Sequence, residues 1–208
     1  MGKIFAVGDI HGCDVKLREL MEKIHPDYSE DTVVFLGDYI DRGDGSYNVV
    51  DYLAGLKAEY DHLVFLKGNH EEMFFNYLSG EDEITFLFNG GEKTLKEYTD
   101  NNGDLAIPQA HLDFFNSLQL YYETDDYIFV HAGLREGVSL DRQKPEDLLW
   151  IRKSFINSDY DFGKRVVFGH TPFSEVMIQD NKIGIDTGAV YGYTLTCLEL
   201  PEMIFHQV

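Results

Sequence analysis

Several features that define whole classes of protein are scarce or absent in this sequence. Only two of the 208 residues are cysteine, and Cys13 and Cys197 are too far apart to form a Cys-x-x-C motif. A disulfide framework or zinc ribbon is therefore not supported, and we expect two ordinary thiols. No apolar run approaches the roughly 18 uncharged residues of a membrane span, and the opening MGKIFAVGDIHG lacks the apolar stretch of a signal peptide. We expect a cytoplasmic protein without a membrane partner.

Basic residues are scarce as well. The chain has 17 Lys and Arg against 37 Asp and Glu, which gives a formal net charge of −20. Because such a charge repels a phosphate backbone, nucleic acid is not an expected partner. Bound cations would neutralise part of this charge near a metal site. With 44% hydrophobic residues, the chain can form one domain over residues 1–208, and its oligomeric state is left open.

The first part of the chain repeats an apolar run followed by a segment with helical spacing. The apolar runs that predict strands are KIFAV (3–7), TVVFL (32–36) and HLVFLKG (62–68). The segments that predict helices are 13–24, 47–56 and 71–78. This alternation indicates βαβ units in a covered sheet. Residues 81–120 look helical, as a small cap at the sheet edge, and strands follow, with hairpin turns at Asp180-Asn181 and Pro201-Glu202.

Polar clusters bounded by glycine follow five of the predicted strands. They are GDIHG (8–12), GDYIDRG (37–43), GNHE (68–71), HAG (131–133) and GHT (169–171). Open α/β sheets bind ligands at the carboxyl ends of their strands, and glycine allows sharp turns there. The side chains suited to binding metal ions are Asp9, His11, Asp38, Asn69, His131 and His170. Oxygen and nitrogen donors without thiolate suit Mn, Fe or Zn. Because six ligands exceed the needs of one catalytic ion, and a carboxylate such as Asp38 can bridge two ions, the pattern predicts two divalent ions about 3.5–4 Å apart.

Each cluster taken alone has an ordinary explanation. An Asp-x-His after a strand is commonly a turn closed by a side-chain hydrogen bond, and a single histidine is commonly a core residue. The joint pattern is what indicates a site, because five such clusters after five apolar runs are hard to obtain by accident. The histidines that lack this context, interpreted as structural or surface residues, are His25, His62, His111 and His206.

In their order, the five clusters resemble the phosphoprotein phosphatase family of metal-dependent serine/threonine phosphatases, in its short bacterial and phage-like form. The resemblance spans residues 8 to about 192. It implies a calcineurin-like α/β (α+β) metallophosphoesterase fold, with a central β-sandwich flanked by helices rather than a doubly wound sheet. It also implies that one ion is bound by Asp9, His11 and Asp38, and the other by Asp38, Asn69, His131 and His170.

The resemblance further implies roles in catalysis. Arg42 would bind phosphate oxygens, and Asp41 would orient His70, which would protonate the leaving alkoxide as a general acid. A hydroxide shared by the two ions would attack phosphorus in line. The segment LLWIR (148–152) resembles the place of a second phosphate-binding arginine, here Arg152. Weaker candidates for that role are Arg18, Arg135, Arg142 and Arg165.

The expected function is phosphomonoester hydrolysis by a serine/threonine protein phosphatase acting on a phosphorylated protein. The alternative is a symmetrical diadenosine-tetraphosphate hydrolase or other small-molecule phosphoesterase, which shares the metal site and a similar opening GDIHGC. Those enzymes have motifs similar to GDLVARGP and GNHD at the positions where this chain has GDYIDRG and GNHE. The presence of Asp41 therefore favours the phosphatase. A metal-binding scaffold is disfavoured because it needs no leaving-group acid. The substrate, including phosphotyrosine, is left open.

Overall fold

The computed structural model describes residues 2–208, which form two five-stranded β-sheets packed against each other. The strands are β1 Ile4–Val7, β2 Thr32–Phe35, β3 Leu63–Phe65, β4 Tyr121–Glu123, β5 Tyr127–Val130, β6 Arg165–Phe168, β7 Met177–Ile178, β8 Lys182–Gly184, β9 Thr196–Leu200 and β10 Ile204–Gln207. The α-helices are α1 Asp14–Ile24, α2 Ser46–Glu59, α3 Asn69–Ser79, α4 Glu83–Phe86, α5 Glu92–Tyr98, α6 Gln109–Asn116, α7 Pro145–Trp150 and α8 Lys153–Ile156.

Parallel strands form the centre of each sheet. The first sheet has the order β10-β9-β1-β2-β3, in which β1, β2 and β3 are parallel and are joined by α1 and α2. The second has the order β4-β5-β6-β8-β7, in which β5, β6 and β8 are parallel. The predicted sandwich flanked by helices is therefore confirmed, as are the two hairpins β7–β8 and β9–β10.

Side-chain alternation along the strands builds an apolar layer on each face of both sheets. Ala6 and Val34 point toward the second sheet, where they pack in one cluster with Phe129 and Val167. Their neighbours along β1 and β2 point the other way, into the cluster formed with the helices of the first sheet. Because side chains on a strand alternate between faces, a strand covered on both sides must be apolar throughout. This is the physical origin of the uninterrupted apolar runs in the sequence.

The segment 81–120 is helical, as predicted, and lies at the edge of the first sheet. It contains α4, α5 and α6, and its Phe86 and Phe114 pack into the helical layer of that sheet. The amide of Gln119 donates to the carbonyl of Phe65, so the segment ends alongside the outer strand β3. Among residues 2–208, no helix combines the length and the apolar character needed to cross a membrane. A single domain over 1–208 stays a prediction.

Helix α3 begins two residues earlier than the sequence pattern predicts. Asn69 and His70 therefore belong to its first turn rather than to a loop. The cause is Glu71, whose Oε2 accepts a hydrogen bond from the amide of Gly68 at 2.9 Å. A glutamate at the third helical position that reaches back to the residue before the helix stabilises the first turn. The side chains of Asn69 and His70 are thus held by a helix end.

Candidate active site

The five predicted clusters meet where the carboxyl ends of the two sheets come together, and Asp38 lies between them. Its Oδ2 is 3.3 Å from Nε2 of His11, and its Oδ1 is 3.4 Å from Nε2 of His131. His11 follows a strand of the first sheet and His131 a strand of the second. One carboxylate therefore faces nitrogen donors from both sheets, as expected of a residue that bridges two ions.

Two groups of side chains place their donor atoms close enough to hold a metal ion. One group consists of His11, Asp38 and His70, and the other of Asp38, His131 and His170, with donor atoms within 4.8 Å of one another in each. Asp38 belongs to both groups. The second group agrees with the predicted ligand set. The first group contains His70 in place of the predicted ligand Asp9. The distances between donor atoms therefore do not distinguish a metal ligand from a general acid that lies next to the metal site.

Asn69 and Asp9 lie against the second group. Oδ1 of Asn69 is 3.0 Å from Nε2 of His131 and 2.9 Å from Nδ1 of His170. The carboxylate of Asp9 accepts a hydrogen bond from the amide of His170, at 2.9 and 3.1 Å for its two oxygens. All six predicted ligands are therefore brought into one buried region. Their assignment to two particular ions stays a prediction.

Main-chain carbonyls fix the orientation of two of the histidines. Nδ1 of His11 donates to the carbonyl of Ile40, and Nδ1 of His131 donates to the carbonyl of Leu36, both at 2.8 Å. Because a carbonyl can only accept, the proton must be on Nδ1, so Nε2 is unprotonated and carries an electron pair that can bind a metal ion. Histidines that bind metals are commonly held in this way. Both Nε2 atoms face Asp38.

The residues present fit a divalent cation. Nε2 of His170 is buried and has no hydrogen-bond partner within residues 2–208, although buried polar atoms are normally paired. Burial lowers the pKa of His11 to about 3 and also lowers the pKa of His170, so both imidazoles are neutral at pH 7. Burial opposes ionisation of Asp38, but the surrounding histidines, His131 first, hold the pKa of its carboxyl below its usual range. Neutral imidazoles beside an ionised carboxylate are the forms that bind metals.

His70 and Asp41 form a buried pair beside these donors. Nδ1 of His70 is 2.6 Å from Oδ2 of Asp41, and Oδ1 of Asp41 accepts a hydrogen bond from the hydroxyl of Thr94. Burial by itself would lower the pKa of His70, but the charges of Asp38 and Asp41 outweigh it and raise the pKa. Nε2 of His70 has no hydrogen-bond partner in the described chain. The pair can therefore present a proton at Nε2, as the sequence predicts for a general acid.

Left-handed backbone conformations are concentrated at the site. The site residues other than glycine with positive φ are His11 (46°), Asp38 (52°), Asp41 (73°), Arg42 (67°) and His170 (62°). Such conformations cost on the order of 1–2 kcal/mol per residue and persist only where the surroundings enforce them. The amide of Asp41 donates to the hydroxyls of Ser46 and Thr94, and that of Arg42 donates to the carbonyl of Gly90. These bonds hold GDYIDRG in its turn.

Glu71 is a structural residue of the site that the sequence analysis did not assign. Its carboxylate accepts hydrogen bonds from the amides of Asp38 (3.0 Å), Tyr39 (2.8 Å) and Gly68 (2.9 Å). Burial, followed by the charge of Asp38, raises its pKa to about 7, against the effect of those amide bonds. Glu71 therefore joins the turn after β2 to the start of α3. The available signal was its place in GNHE, directly after His70.

Asp186 is a second residue that was not assigned. It follows β8, is buried, and accepts the amide of Gly188 at 3.0 Å. Burial raises its pKa to about 6, and its charge contributes to the raised pKa of Asp9, so the two carboxyls are neighbours. The sequence signal was KIGIDTG, which repeats the apolar run, aspartate and glycine of the other clusters.

Glycine is required at two positions where the chain passes close to the predicted metal-binding carboxylates. A Cβ on Gly68 would lie 2.1 Å from Oδ1 of Asp38, and one on Gly169 would lie 2.0 Å from Oδ1 of Asp9. Neither distance is possible for a side chain. The glycines of GNHE and GHT therefore provide the space in which the two carboxylates sit.

Of the arginines considered for phosphate binding, Arg42 and Arg152 lie near the predicted metal ligands, and others have contacts elsewhere. Nη1 of Arg42 is 2.7 Å from Nε2 of His11, and a cation bound at that nitrogen would exclude this contact and free the guanidinium for a phosphate. Arg152 is exposed, and after burial its charge is among the causes that lower the pKa of His131 and His170. The weaker candidates with contacts elsewhere are Arg18 over Tyr52, Arg135 with Asp147 and Arg165 with the carbonyl of Gln179.

The other four histidines have surface or structural positions. His25 ends α1 in a left-handed conformation, and His62 is exposed. The hydroxyl of Tyr98 is 2.8 Å from Nδ1 of the buried His111, and Nε2 of His206 is 2.7 Å from Glu199. None of the four lies in either candidate metal group of the described residues.

This arrangement is that of a metallophosphoesterase, a class of hydrolases that cleave phosphoesters with divalent metal ions. A family model described as calcineurin-like phosphoesterase matches residues 2–197. The chain therefore belongs to the calcineurin-like phosphoesterase family. The fold implied by the sequence motifs is confirmed, and so is the expectation of a metal-dependent hydrolase.

Several similar proteins bear the names of enzymes that cleave phosphate esters or anhydrides. A relative from Bacillus thuringiensis (strain Al Hakam), named bis(5'-nucleosyl)-tetraphosphatase PrpE (asymmetrical), is 27% identical over 226 residues, with 95% of this chain and 90% of the relative covered. A structure described as a candidate diadenosine tetraphosphatase superimposes with a TM-score of 0.79 at 23% identity, covering 100% of this chain and 93% of that chain. A mutant of a cold-active protein tyrosine phosphatase gives 0.70 at 18% identity, covering 100% and 77%. The two structures show the fold alone.

Proposed function

We propose that this chain hydrolyses dinucleoside polyphosphates such as diadenosine tetraphosphate, using two divalent ions of which manganese is the first candidate. The observation that carries the proposal is the similarity along nearly the whole chain to relatives named as tetraphosphatases. This favours the small-molecule alternative of the sequence analysis over the serine/threonine protein phosphatase, which stays a prediction. The relatives are named as asymmetrical enzymes, whereas the sequence analysis had considered symmetrical cleavage.

The proposed ligands are the six side chains gathered around Asp38. Divalent cations held there would neutralise phosphate charge and lower the pKa of a water molecule, which supplies the nucleophile. The protein contributes the fixed orientation of its donors, because the Nδ1 atoms of His11 and His131 are tied to main-chain carbonyls. The glutamate Glu71 holds the turn that carries Asp38.

In this proposal His70 is the group placed to donate a proton to the leaving oxygen, a contribution that is small when a nucleotide phosphate leaves. Asp41 accepts the hydrogen bond from Nδ1, so it fixes the ring and stabilises its charged form, and Nε2 carries the proton to be transferred. The charges of Asp38 and Asp41 outweigh the effect of burial and favour protonation. General acids in such a position contribute about 10²–10⁴-fold when the leaving oxygen is basic.

Positive charge at the site has to offset the negative net charge of the protein for an anionic substrate to bind. The chain carries a formal charge of −20, and a tetraphosphate is itself strongly anionic, so binding requires cations at the site. Arg42 and Arg152 are the arginines available next to the donors, and arginine suits phosphate because it can donate two parallel hydrogen bonds. We assign both to phosphate binding.

The test is product analysis after manganese loading. Diadenosine tetraphosphate is incubated with the protein, and the nucleotides formed are separated. We expect turnover that is lost in the Asp38→Asn variant. AMP with ATP would indicate asymmetrical cleavage, and two molecules of ADP would indicate symmetrical cleavage. Turnover of phosphopeptides but not of any dinucleotide would contradict the proposal.

Phosphomonoester hydrolysis is a second candidate because of the His70–Asp41 pair. A serine or threonine alkoxide is strongly basic and needs a proton, whereas a nucleotide phosphate leaves readily without one. A buried acid with its own aspartate is therefore suited to phosphomonoesters. The same assay with phosphoserine, phosphothreonine and phosphotyrosine peptides compares the candidates by kcat/KM.

A further inference from the structure

An exposed aromatic ring lies beside the arginine that we assign to phosphate binding. The guanidinium carbon of Arg42 is 5.9 Å from the ring centroid of Tyr191, and Tyr191 is 56% exposed. A large aromatic side chain exposed to this degree contributes little to the core. Its position next to Arg42 places an unused stacking surface at the entrance of the site.

The backbone that carries Tyr191 is fixed. Residues Ala189–Tyr191 form one turn of 3₁₀-helix between Gly188 and Gly192, and the amide of Tyr191 donates to the carbonyl of Gly188 at 2.9 Å. From α1, the ammonium of Lys16 donates to the carbonyls of Ala189 and Tyr193. A ring held on such a turn loses little entropy when a ligand stacks on it.

The same turn is tied directly to the site. The carboxylate of Asp186, a neighbour of Asp9, accepts the amide of Gly188. The turn is therefore positioned by a group at the carboxyl edge of the second sheet. Tyr191 and Arg42 come from opposite halves of the sequence but share one entrance.

Resting on the proposed function, we infer that the ring of Tyr191 stacks on a nucleobase of the substrate while Arg42 binds a phosphate of the same nucleotide. Nucleobases stack on aromatic side chains because both present flat, polarizable faces, and this contact is tolerant of the base. A strongly acidic protein also benefits from a contact that requires no further basic residue. The inferred ligand class is a nucleoside di- or polyphosphate.

Two other exposed aromatic residues provide comparisons. Tyr193 follows the same turn, is 61% exposed, and lines a separate groove with Val176 and Phe205. Phe88 is 89% exposed and lies two residues before Gly90, whose carbonyl accepts the amide of Arg42. Because the described residues show a cation–π contact of Arg42 with Tyr191 and none with Tyr193, Tyr193→Ala is the matched control. Phe88 is the competing candidate for stacking on the nucleobase.

The experiment measures the affinities of two diphosphates that differ in the nucleoside. ADP and pyrophosphate are titrated by calorimetry into the manganese-loaded protein and its variants. We expect Tyr191→Ala to weaken ADP binding by about 5- to 20-fold and to leave pyrophosphate within about two-fold. Tyr191→Phe should bind ADP as the natural chain does, because the ring is retained. In turnover of diadenosine tetraphosphate, Tyr191→Ala should raise KM and leave kcat nearly unchanged.

Several outcomes would overturn the inference. Equal weakening of ADP and pyrophosphate would mean that Tyr191 acts through the position of Arg42. The nucleobase would have to bind elsewhere if ADP affinity were unchanged in Tyr191→Ala. The same would follow if ADP affinity fell equally in Tyr193→Ala, or fell only in Phe88→Ala. A loss of phosphotyrosine binding with ADP unaffected would assign the ring to an aryl phosphate.

The proposed function and this inference can fail separately. If the natural chain prefers ADP through Tyr191 but does not cleave diadenosine tetraphosphate, the proposed substrate is wrong and the stacking contact stands. If it cleaves the dinucleotide with unchanged KM in Tyr191→Ala, the proposed substrate stands and the stacking contact is wrong.

Discussion

The carboxyl edges of the two sheets contribute differently to the same site. The first sheet supplies its residues from three consecutive strands between Asp9 and His70, in turns braced by side chains such as Glu71 and Thr94. The second sheet supplies His131 and His170 from strands separated by a long crossover. The predicted acid His70 and its aspartate Asp41 both follow strands of the first sheet, whereas the predicted metal ligands come from both sheets. Proton transfer would therefore depend on neighbouring turns of one sheet, whereas metal binding would depend on the packing of both sheets.

A substitution that disturbs the donors of both sheets at once should have the largest effect on metal binding and turnover. Asp38 faces donors from both sheets, so we expect Asp38→Asn to lose metal from both groups and to lower kcat/KM by at least about 10³-fold. Elemental analysis after manganese loading and steady-state kinetics measure this. Asp44→Asn is the control, because Asp44 lies in the same turn with an 85% exposed side chain. Full metal content in Asp38→Asn would refute its shared role.

Removing a donor of the second sheet should affect one ion more than the other. We expect His170→Asn to bind about one manganese ion fewer per chain and to lower kcat by about 10²–10³-fold, since part of the charge stabilisation is lost. Elemental analysis and kinetics with His62→Asn as an exposed control check this. An unchanged metal count at saturation would remove His170 from the ligand set.

Removing the acid of the first sheet should affect turnover according to the leaving group. We expect His70→Asn to keep its metal and to lower kcat for a phosphoserine peptide by about 10²–10⁴-fold. p-Nitrophenyl phosphate and diadenosine tetraphosphate should lose much less, because their leaving oxygens are weakly basic. The three substrates are compared under conditions where chemistry limits the rate. Equal losses for all three would argue for a positioning or ligand role of His70, as its place in the first donor group allows.

The aspartate behind the acid should have a smaller effect of the same kind. We expect Asp41→Asn to lower kcat by about 10–100-fold with metal content intact, because His70 loses the group that orients and charges it. The double variant with His70→Asn should cost little more than His70→Asn alone, since the two act as a unit. Additive losses in this cycle would show that they act separately.

The smallest effect on turnover is expected from a stability variant in the second sheet. Lys182 is fully buried on β8, and its ammonium donates to the carbonyls of Phe155 and Ser158 at the end of α8. Lys182→Met removes the charged donor from both carbonyls, which keep their hydrogen bonds from the amide of Ser158 and the side chain of Asn181. Because hydrogen bonds to charged groups are worth about 1.5–3 kcal/mol, we expect a loss of about 2–3 kcal/mol in the free energy of unfolding. Activity per folded molecule should be unchanged. Denaturant titration measures the free energy of unfolding of this variant, with the exposed Lys153→Met as control. A large loss of kcat in Lys182→Met would contradict a site confined to the carboxyl ends of the strands.

Much of this protein could be predicted from residue order alone. The apolar runs that became β1, β2 and β3 are apolar on both faces because each strand is covered on both sides. The glycine-bounded clusters predicted the donor atoms, because chemistry at a strand end requires particular side chains and sharp turns. The early start of α3 and the role of Glu71 were missed, because they depend on hydrogen bonds to the neighbouring turn after β2.

Residue types and their order were enough to indicate which side chains could bind metal and phosphate, since residue type fixes the donor atoms and their usual charge. Only the tertiary structure decided that His170 meets Asn69, 101 positions away, that Asp186 lies beside Asp9, and that Tyr191 lies beside Arg42. Such pairings arise from the packing of one sheet on the other, and burial there raises or lowers the pKa of each group. The distant neighbours of these polar residues, and the burial that such neighbours impose, cannot be read from the local sequence.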